Sequence, residues 1–420
     1  MPVMGTVQVA TFLRLVAMAL SFAGGVVVAR ELGDEGRGYQ QVIVSVGLFG
    51  SAIVGCSAEL GASRFWARYP EERPALPASM IAGILLLGVP AGGAVILFLY
   101  LSHGSLVPIS SLPGASFAGG LLLLYLANTW LQRFLLLDGS PVLASVLSAV
   151  ESAIVAGGVA VLVVADLLTP YWALVVISSS LLFSTSVSVL ILLSRYPNRV
   201  SFPPFRSSLF VGLRFHSGQV ALAVLARADL VLLSAISGLA AAGVYSVAVS
   251  ITAPILVVGT SLTSVYLNRQ FSDDRPAAFT ARLVGLSIVI MVPLAVVVAL
   301  GGSVLIPAVW GSQFAPAVGV LPILMIGLCA TGVQRPIGQY LVRHGLAAAA
   351  NIRAFVASVI CVVLILVLGP RFGAMGVAVA SSTAWFVYAT ISFCHFVAHS
   401  SLGLQVIGRN VLQGIKLKVG

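Results

Sequence analysis

The feature that most limits this chain is the length of its apolar runs. Stretches of about twenty apolar residues, each enough to cross a bilayer core, follow one another along the chain. The charged residues fall mainly in the short intervals between them. Of 420 residues, 59% are hydrophobic and 8% charged, where a soluble domain carries roughly 25% charged residues. That excludes a soluble enzyme, a secreted disulfide scaffold and a disordered binder. In hydrocarbon each backbone N–H and C=O must be satisfied within its own segment, so runs of this continuity form helices rather than alternating barrel strands. The spans are expected at 8–29, 41–58, 78–101, 114–137, 141–165 and 171–194, then 209–236, 240–267, 281–300, 317–340, 350–369 and 374–397. Twelve such helices take roughly 250 residues and leave about 170 for tails and eleven loops, with no room for a separate soluble domain. The expected fold class is therefore an all-α polytopic membrane protein with about twelve transmembrane helices. The first run has no Lys or Arg before it and is interrupted by Arg14, so it reads as a first transmembrane helix and not a signal peptide.

The net charge of +10 would suggest nucleic acid in a soluble chain; here its placement explains it. With the N-terminus in the cytoplasm, the inner loops and tail hold Arg64, Arg68, Arg73, Arg133, Arg195, Arg199, Arg206, Arg269, Arg275, Arg282, Arg343, Arg353, Arg409, Lys416 and Lys418. The outer loops hold Arg30, Arg37 and Arg371. Fifteen against three follows the positive-inside rule and puts both termini in the cytoplasm. Tyr39, Tyr100, Trp172, Tyr196, Tyr245, Tyr266 and Trp310 fall near span ends, as an interfacial aromatic belt would. The tail, 398–420, mixes Lys with Leu, Val and Ile and reads as a short amphipathic segment on the inner leaflet.

The chain reads as a duplication. Gly36-Arg37-Gly38-Tyr39 opens span two and Ala242-Gly243-Val244-Tyr245 opens span eight, 206 residues on. Ser178-Ser179-Ser180 and Ala380-Ser381-Ser382 recur in spans six and twelve at an offset of 202. The expected organisation is a six-helix bundle over 1–200, a second over 201–397, and the tail. Parallel repeats around a central cavity are a common transporter plan.

An ionisable residue at membrane depth is costly and by default faces a cavity or a partner. Seven qualify: Arg14, Glu151, Arg214, His216, Arg227, Asp229 and Arg335. In span seven, His216, Gln219 and Arg227 fall within about 80° of one another around a helix, while Arg214 and Asp229 point the other way. One reading lines a lumen with this stripe; the other has Arg214 snorkelling to the inner interface and Arg227 paired with Asp229 or a carbonyl. In span ten, Thr331, Gln334, Arg335 and Gly338 share a face, and Arg335 is near enough to the inner end for snorkelling to compete. Arg14 poses the same choice. Glu151 is open between a protonatable coupling group, a partner for an arginine and a buried neutral acid; Asp229 is the second coupling candidate. If these groups line one cavity its fixed charge is cationic, which suits an anionic group such as a phosphate.

Other chemistries find no support. The sequence contains no GxxxxGK[ST] phosphate loop. The four cysteines, Cys56, Cys329, Cys361 and Cys394, lie in apolar runs without CxxC spacing and read as small hydrophobes. His395 and His399 are four residues apart but have no further ligand set nearby, so no metal and no cofactor is expected. The glycines of 33–38 follow a span and read as a turn. No outer loop is long enough for a catalytic domain, so no enzyme is expected.

The stretch Ala29-Arg30-Glu31-Leu32-Gly33-Asp34-Glu35-Gly36-Arg37-Gly38-Tyr39 resembles the "AR-x-LG-x-x-x-x-G-x-Y" start of polysaccharide flippases. Those belong to the multidrug/oligosaccharidyl-lipid/polysaccharide exporter superfamily. Arg227-Ala228-Asp229 followed by Ala242-Gly243-Val244-Tyr245-Ser246-Val247-Ala248 is similar to that family's "R-x-D … AG-x-Y-S-x-A". Trp310-Gly311-Ser312-Gln313-Phe314 and Gly373-Ala374-Met375-Gly376 resemble its "G-x-x-F" and "GA-x-G" stretches. The resemblance implies two six-helix bundles around a central cavity that opens alternately to each side and moves lipid-linked sugars outward. It makes Arg14, Arg227 and Arg335 the candidates for the cationic cavity residues.

The expected function is flipping of a polyprenyl-diphosphate-linked oligosaccharide, or a similar anionic glycolipid, by a monomeric multi-pass protein of the bacterial inner membrane. Its partners would be the substrate, the bilayer and polysaccharide assembly proteins. The alternatives are a cation-coupled multidrug exporter of the same superfamily, an integral-membrane glycosyltransferase or polymerase, and a channel or scaffold.

Overall fold

The structure is a computed structural model that describes residues 2–105, 107–196, 199–266, 270, 275–344, 346–400 and 402–414. Arg269, Lys416 and Lys418 lie outside the described residues. The described chain is all helical, in this order: α1 (Pro2–Val54), α2 (Ala58–Arg68), a 3-10 turn (Pro70–Ala75), α3 (Leu76–Leu101), α4 (Leu112–Leu137), α5 (Pro141–Val164), α6 (Pro170–Arg195) and α7 (Phe202–Val265). Then come α8 (Pro276–Trp310), a 3-10 turn (Ser312–Phe314), α9 (Ala317–Arg343), α10 (Ala347–His399) and α11 (Leu404–Gly414). Proline stands in the first turn of α3, α4, α5, α6 and α8, where its missing N–H costs nothing. The Ser111 and Thr169 side chains cap α4 and α6 by accepting from Gly114 N (3.2 Å) and Trp172 N (3.3 Å).

Nine helices among the described residues are long and apolar enough to cross a membrane. Three of them, α1, α7 and α10, are broken by a glycine of positive φ: Gly33 (+71°), Gly238 (+84°) and Gly373 (+56°). Dividing each at its glycine gives twelve segments, consistent with the twelve expected. Residues 30–40, read from sequence as an outer loop, are helical apart from the break at Gly33. Arg37, counted among the outer-loop charges, is buried and donates from Nη1 to Gln40 Oε1 at 3.0 Å.

Gly33 and Gly238 stand 205 residues apart, and Gly38 and Gly243 repeat that spacing. Gly38 packs on the carbonyl oxygen of Leu239, and Gly243 on that of Asp34; a Cβ at either position would overlap the carbonyl. The repeat seen in the sequence is therefore a reciprocal close approach of backbones, which only glycine permits.

Contacts divide the chain into two compact units, Met1–Ala223 with Gly238–Gly243, and Val224–Ser237 with Val244–Gly420. The first is packed around Trp130, Phe134, Leu126, Met80, Leu76 and Phe205. The second has a cluster of Ile337, Tyr340, Leu341, Phe396 and Ile407. Ile407 belongs to the tail helix α11, which docks on α8: Arg282 Nε donates to Asn410 Oδ1 at 3.1 Å, and Gly285 sits against the Val411 carbonyl. Leu404, Val406 and Leu412 on α11 stay exposed, so this helix both docks on protein and presents apolar side chains outward.

Candidate functional site

The first unit contains a cavity of about 360 Å³. The second half of α1 supplies Leu48, Ser51, Ala52 and Gly55; the start of α2 supplies Ser57 and Glu59; α4 supplies Leu126, Thr129 and Trp130; and α7 supplies Gln219, Leu222 and Ala223. Two backbone features shape it. Cys56 and Ser57 both hold positive φ (+49° and +51°), an uncommon conformation for residues other than glycine and one that clusters at functional sites. It turns the chain sharply from α1 into α2. Gly61 and Gly212 then let α2 and α7 touch, Gly61 on the Ser208 carbonyl and Gly212 on those of Cys56 and Ser57.

The polar side chains of this region are tied to one another. Ser57 Oγ and His216 Nδ1 lie 3.3 Å apart, which fixes His216 beside the cavity that Gln219 lines. Burial pushes the Glu59 carboxyl above its ordinary range, opposed by its own backbone N–H, by Arg133 and by a hydrogen bond from Trp130. Trp130 is 1% exposed, so its indole is a fixed donor. The acid in this cavity was not singled out from sequence, because Glu59 falls one residue past the expected end of span two. The signal that could have found it is Ser57-Ala58-Glu59 at the foot of an apolar run, an N-terminal turn pattern for a further helix.

The remaining candidates are placed elsewhere. Arg14 is exposed on the first half of α1, beside exposed Phe12 and Leu15. Glu151 on α5 is half-buried and accepts from Asn128 Nδ2 at 3.3 Å. Neither lines the cavity of the first unit. Arg227 belongs to the second unit and is half-buried. Asp229, in the same unit, is buried and accepts from Tyr245 Oη at 2.6 Å, Leu230 N at 2.8 Å and Ser381 Oγ at 3.4 Å. Among the described residues no ion pair joins Arg227 to Asp229.

Gln334 and Arg335 on α9 form another group. Gln334 hydrogen-bonds the hydroxyl of the buried Tyr388, which lies within electrostatic reach of the Arg335 and Arg353 guanidiniums. Arg353 was counted in the sequence only as a cytoplasmic charge, yet it is 2% exposed. Its Nη1 donates to His395 Nδ1 at 3.2 Å, which gives one member of the His395/His399 pair a partner. Among the described residues no group of three His, Cys, Asp or Glu could hold a metal ion.

Comparison with known proteins bears on this arrangement. Residues 144–319 match a family described as polysaccharide biosynthesis protein. No curated protein sequence matches the chain. Among solved structures, the lipid II flippase MurJ in an inward closed conformation superposes with a TM-score of 0.74 at 14% identity, over 97% of this chain and 90% of that one. An inward-facing multidrug resistance MATE family transporter of the MOP superfamily gives 0.69 at 15% identity, over 93% and 98%. This chain has the fold of those transporters. A MOP superfamily transporter from Pyrococcus furiosus, described as having a binding pocket of reverse polarity, gives 0.59 at 16% identity over 94% and 95%. The match to the polysaccharide family and the MurJ-like and MATE-like fold agree with the resemblance read from the sequence.

Proposed function

We propose that this protein is a flippase that moves a polyprenyl-diphosphate-linked oligosaccharide, or a similar anionic glycolipid, from the inner to the outer leaflet. The observation that carries the proposal is the match of residues 144–319 to a polysaccharide biosynthesis family within a fold shared over 97% of the chain with a lipid II flippase. The two bundles, 1–200 and 201–397, would rock about a central site, with both termini in the cytoplasm of a bacterial cell. Gln219 and His216 would face the sugar, Arg14, Arg227 and Arg335 would meet the diphosphate, and Glu151 or Asp229 would couple transport to an ion. The membrane-depth charges lean to arginine, whose forked donors suit phosphate oxygens.

The test is the sidedness of lipid-linked sugars in cells with and without the protein, read with a glycosidase that cannot cross the membrane. Deletion is expected to leave the sugar lipid facing the cytoplasm; unchanged sidedness and amount would sink the proposal. A second reading, a cation-coupled multidrug exporter, draws on the MATE-like fold and on Glu59 beside Trp130 in the cavity, a pairing that suits a cationic, aromatic ligand. It predicts drug sensitivity on deletion with sugar-lipid sidedness intact.

A further inference from the structure

We infer that the start of α7 carries a binding site for one anionic phospholipid of the inner leaflet. Arg206 and Ser207 would hold its phosphate, and Phe202 and Phe210 would border its chains. The inference is independent of what the protein transports, and every residue of the site lies in the first unit.

Three observations lead to it. First, the surface there is concave: Phe202, Pro203, Arg206, Ser207 and Phe210 line a shallow cavity of about 330 Å³. Second, the cavity has polar groups to offer. Arg206 is exposed, and its guanidinium carbon lies over the Phe210 ring, 5.4 Å from the centroid. The next residues differ in their use: Ser208 Oγ donates back to the Pro204 carbonyl at 2.9 Å, whereas among the described residues Ser207 Oγ has no hydrogen-bond partner. Third, the cation stands in an apolar stripe. Phe202, Phe210 and Leu213 are exposed, and with Arg206 they fall within about 80° of one another around the helix. The stripe runs roughly 16 Å along α7.

The chemistry of that stripe selects an amphiphile. A soluble phosphate would satisfy Arg206 and leave the phenyl rings in water; a hydrocarbon chain alone would cover the rings and leave the guanidinium without an anion. A lipid with a negative headgroup answers both. A guanidinium lying over a ring keeps its N–H edge for phosphate oxygens, and the Ser207 hydroxyl can donate to one more. The loop-charge count places this helix end at the inner leaflet, whose anionic surface attracts such a cation. The site is also held in place before any lipid arrives. Ser201 N donates to Ser79 Oγ at 2.8 Å. Phe205 is buried against Gly83 of α3, where a Cβ would come within 2.2 Å of its ring. Pro203 and Pro204 fix the backbone of the first turn and have no N–H to give an anion, so recognition falls to Arg206 and Ser207. A pre-formed site loses less entropy on binding.

The full-length protein would be placed in phosphatidylcholine nanodiscs containing increasing fractions of phosphatidylglycerol. Its Tm would be followed, and the retained lipids counted by native mass spectrometry. Phosphatidylglycerol is expected to raise Tm above that in phosphatidylcholine alone and to be retained in preference to it. Arg206→Gln should raise the phosphatidylglycerol fraction needed for half of that effect by about fivefold, the loss of one cation at the membrane surface. Phe210→Ala should raise it by about threefold, and Ser207→Ala by a smaller factor. Arg206 and Phe210 are exposed, so neither change threatens the fold. Arg409→Gln, which removes an exposed cation of α11, is the control and should leave the response as in wild type. The inference is overturned if phosphatidylglycerol gives no rise in Tm, or if Arg206→Gln responds as wild type does. It is overturned too if Arg409→Gln weakens the response equally, because general attraction to a charged bilayer would then explain it. Glycerol phosphate, the headgroup without chains, should leave Tm in phosphatidylcholine discs unchanged; a stabilisation equal to that of the lipid would reject a lipid as the occupant. None of these readouts depends on sugar-lipid transport.

Discussion

The cavity of the first unit and the arginines Arg335 and Arg353 of the second hold opposite charges away from water to different extents and treat them differently. In the first, Glu59 receives a hydrogen bond from Trp130 and has Arg133 nearby, while Glu151 outside the cavity has the Asn128 amide. In the second, Arg353 donates to His395, and Arg335 and Arg353 each keep a buried Nε without a partner. The backbone shows the reverse, because Gly33 and Gly38 are matched by Gly238 and Gly243 at the same 205-residue spacing. The two halves of the chain thus share the positions where backbones break or touch, and differ in the chemistry between them. A carbonyl pressed against a Cα tolerates one residue type; a buried side chain tolerates any whose partners are supplied.

The largest expected effect tests the shared part. Gly38→Leu and Gly243→Leu each drive a side chain into a carbonyl, and each should cost more than about 4 kcal/mol, read as loss of folded protein on size-exclusion chromatography. If one is tolerated and the other is not, the two positions are not equivalent. The next tests the distinct part. Asp229→Ala leaves the Tyr245 and Ser381 hydroxyls without their acceptor and should cost about 2–3 kcal/mol in unfolding experiments. Asp229→Asn retains an acceptor and should cost less. Should the two variants be equally stable but equally inactive in transport, Asp229 acts in coupling and not in holding the fold.

The smallest effect concerns pH. Burial raises the folded-state pKa of Glu59, so ionising it opposes folding. Stability from this group is fully present below the unfolded-state value, about 4.3, and declines as pH rises through the raised folded-state value. Glu59→Gln should therefore raise Tm at neutral pH, with the gain closing below about pH 4. A variant less stable than wild type at pH 7 would mean that the Trp130 and Arg133 contacts outweigh the burial.

Much of the architecture was legible in the chain. Apolar runs, alternating loop charge and the Gly-x-Tyr recurrence are local patterns, and helices in lipid follow from local pattern because backbone groups have no other partner. The same reasoning singled out Asp229, which is buried and accepts from Tyr245. Other features were out of its reach. Residues 30–40 look like a loop by charge, yet they are helical on both sides of a single break at the positive-φ Gly33. Arg353 looks like a surface charge by count, yet it is buried against His395.

What the sequence by itself determined is the class of protein, the segments that are apolar enough to span, and the absence of any acid beyond Asp274. What only the tertiary structure decided is which polar groups meet. His216 joins Ser57 across 159 positions, Ser381 reaches Asp229 across 152, and Arg353 reaches His395 across 42. The physical reason is that helix formation depends on neighbours within one or two turns, while the partner of a buried charge is set by which helix faces pack together. That choice is made by backbone contacts as close as Gly61 on Ser208, whose meaning appears only when both strands of the chain are in place.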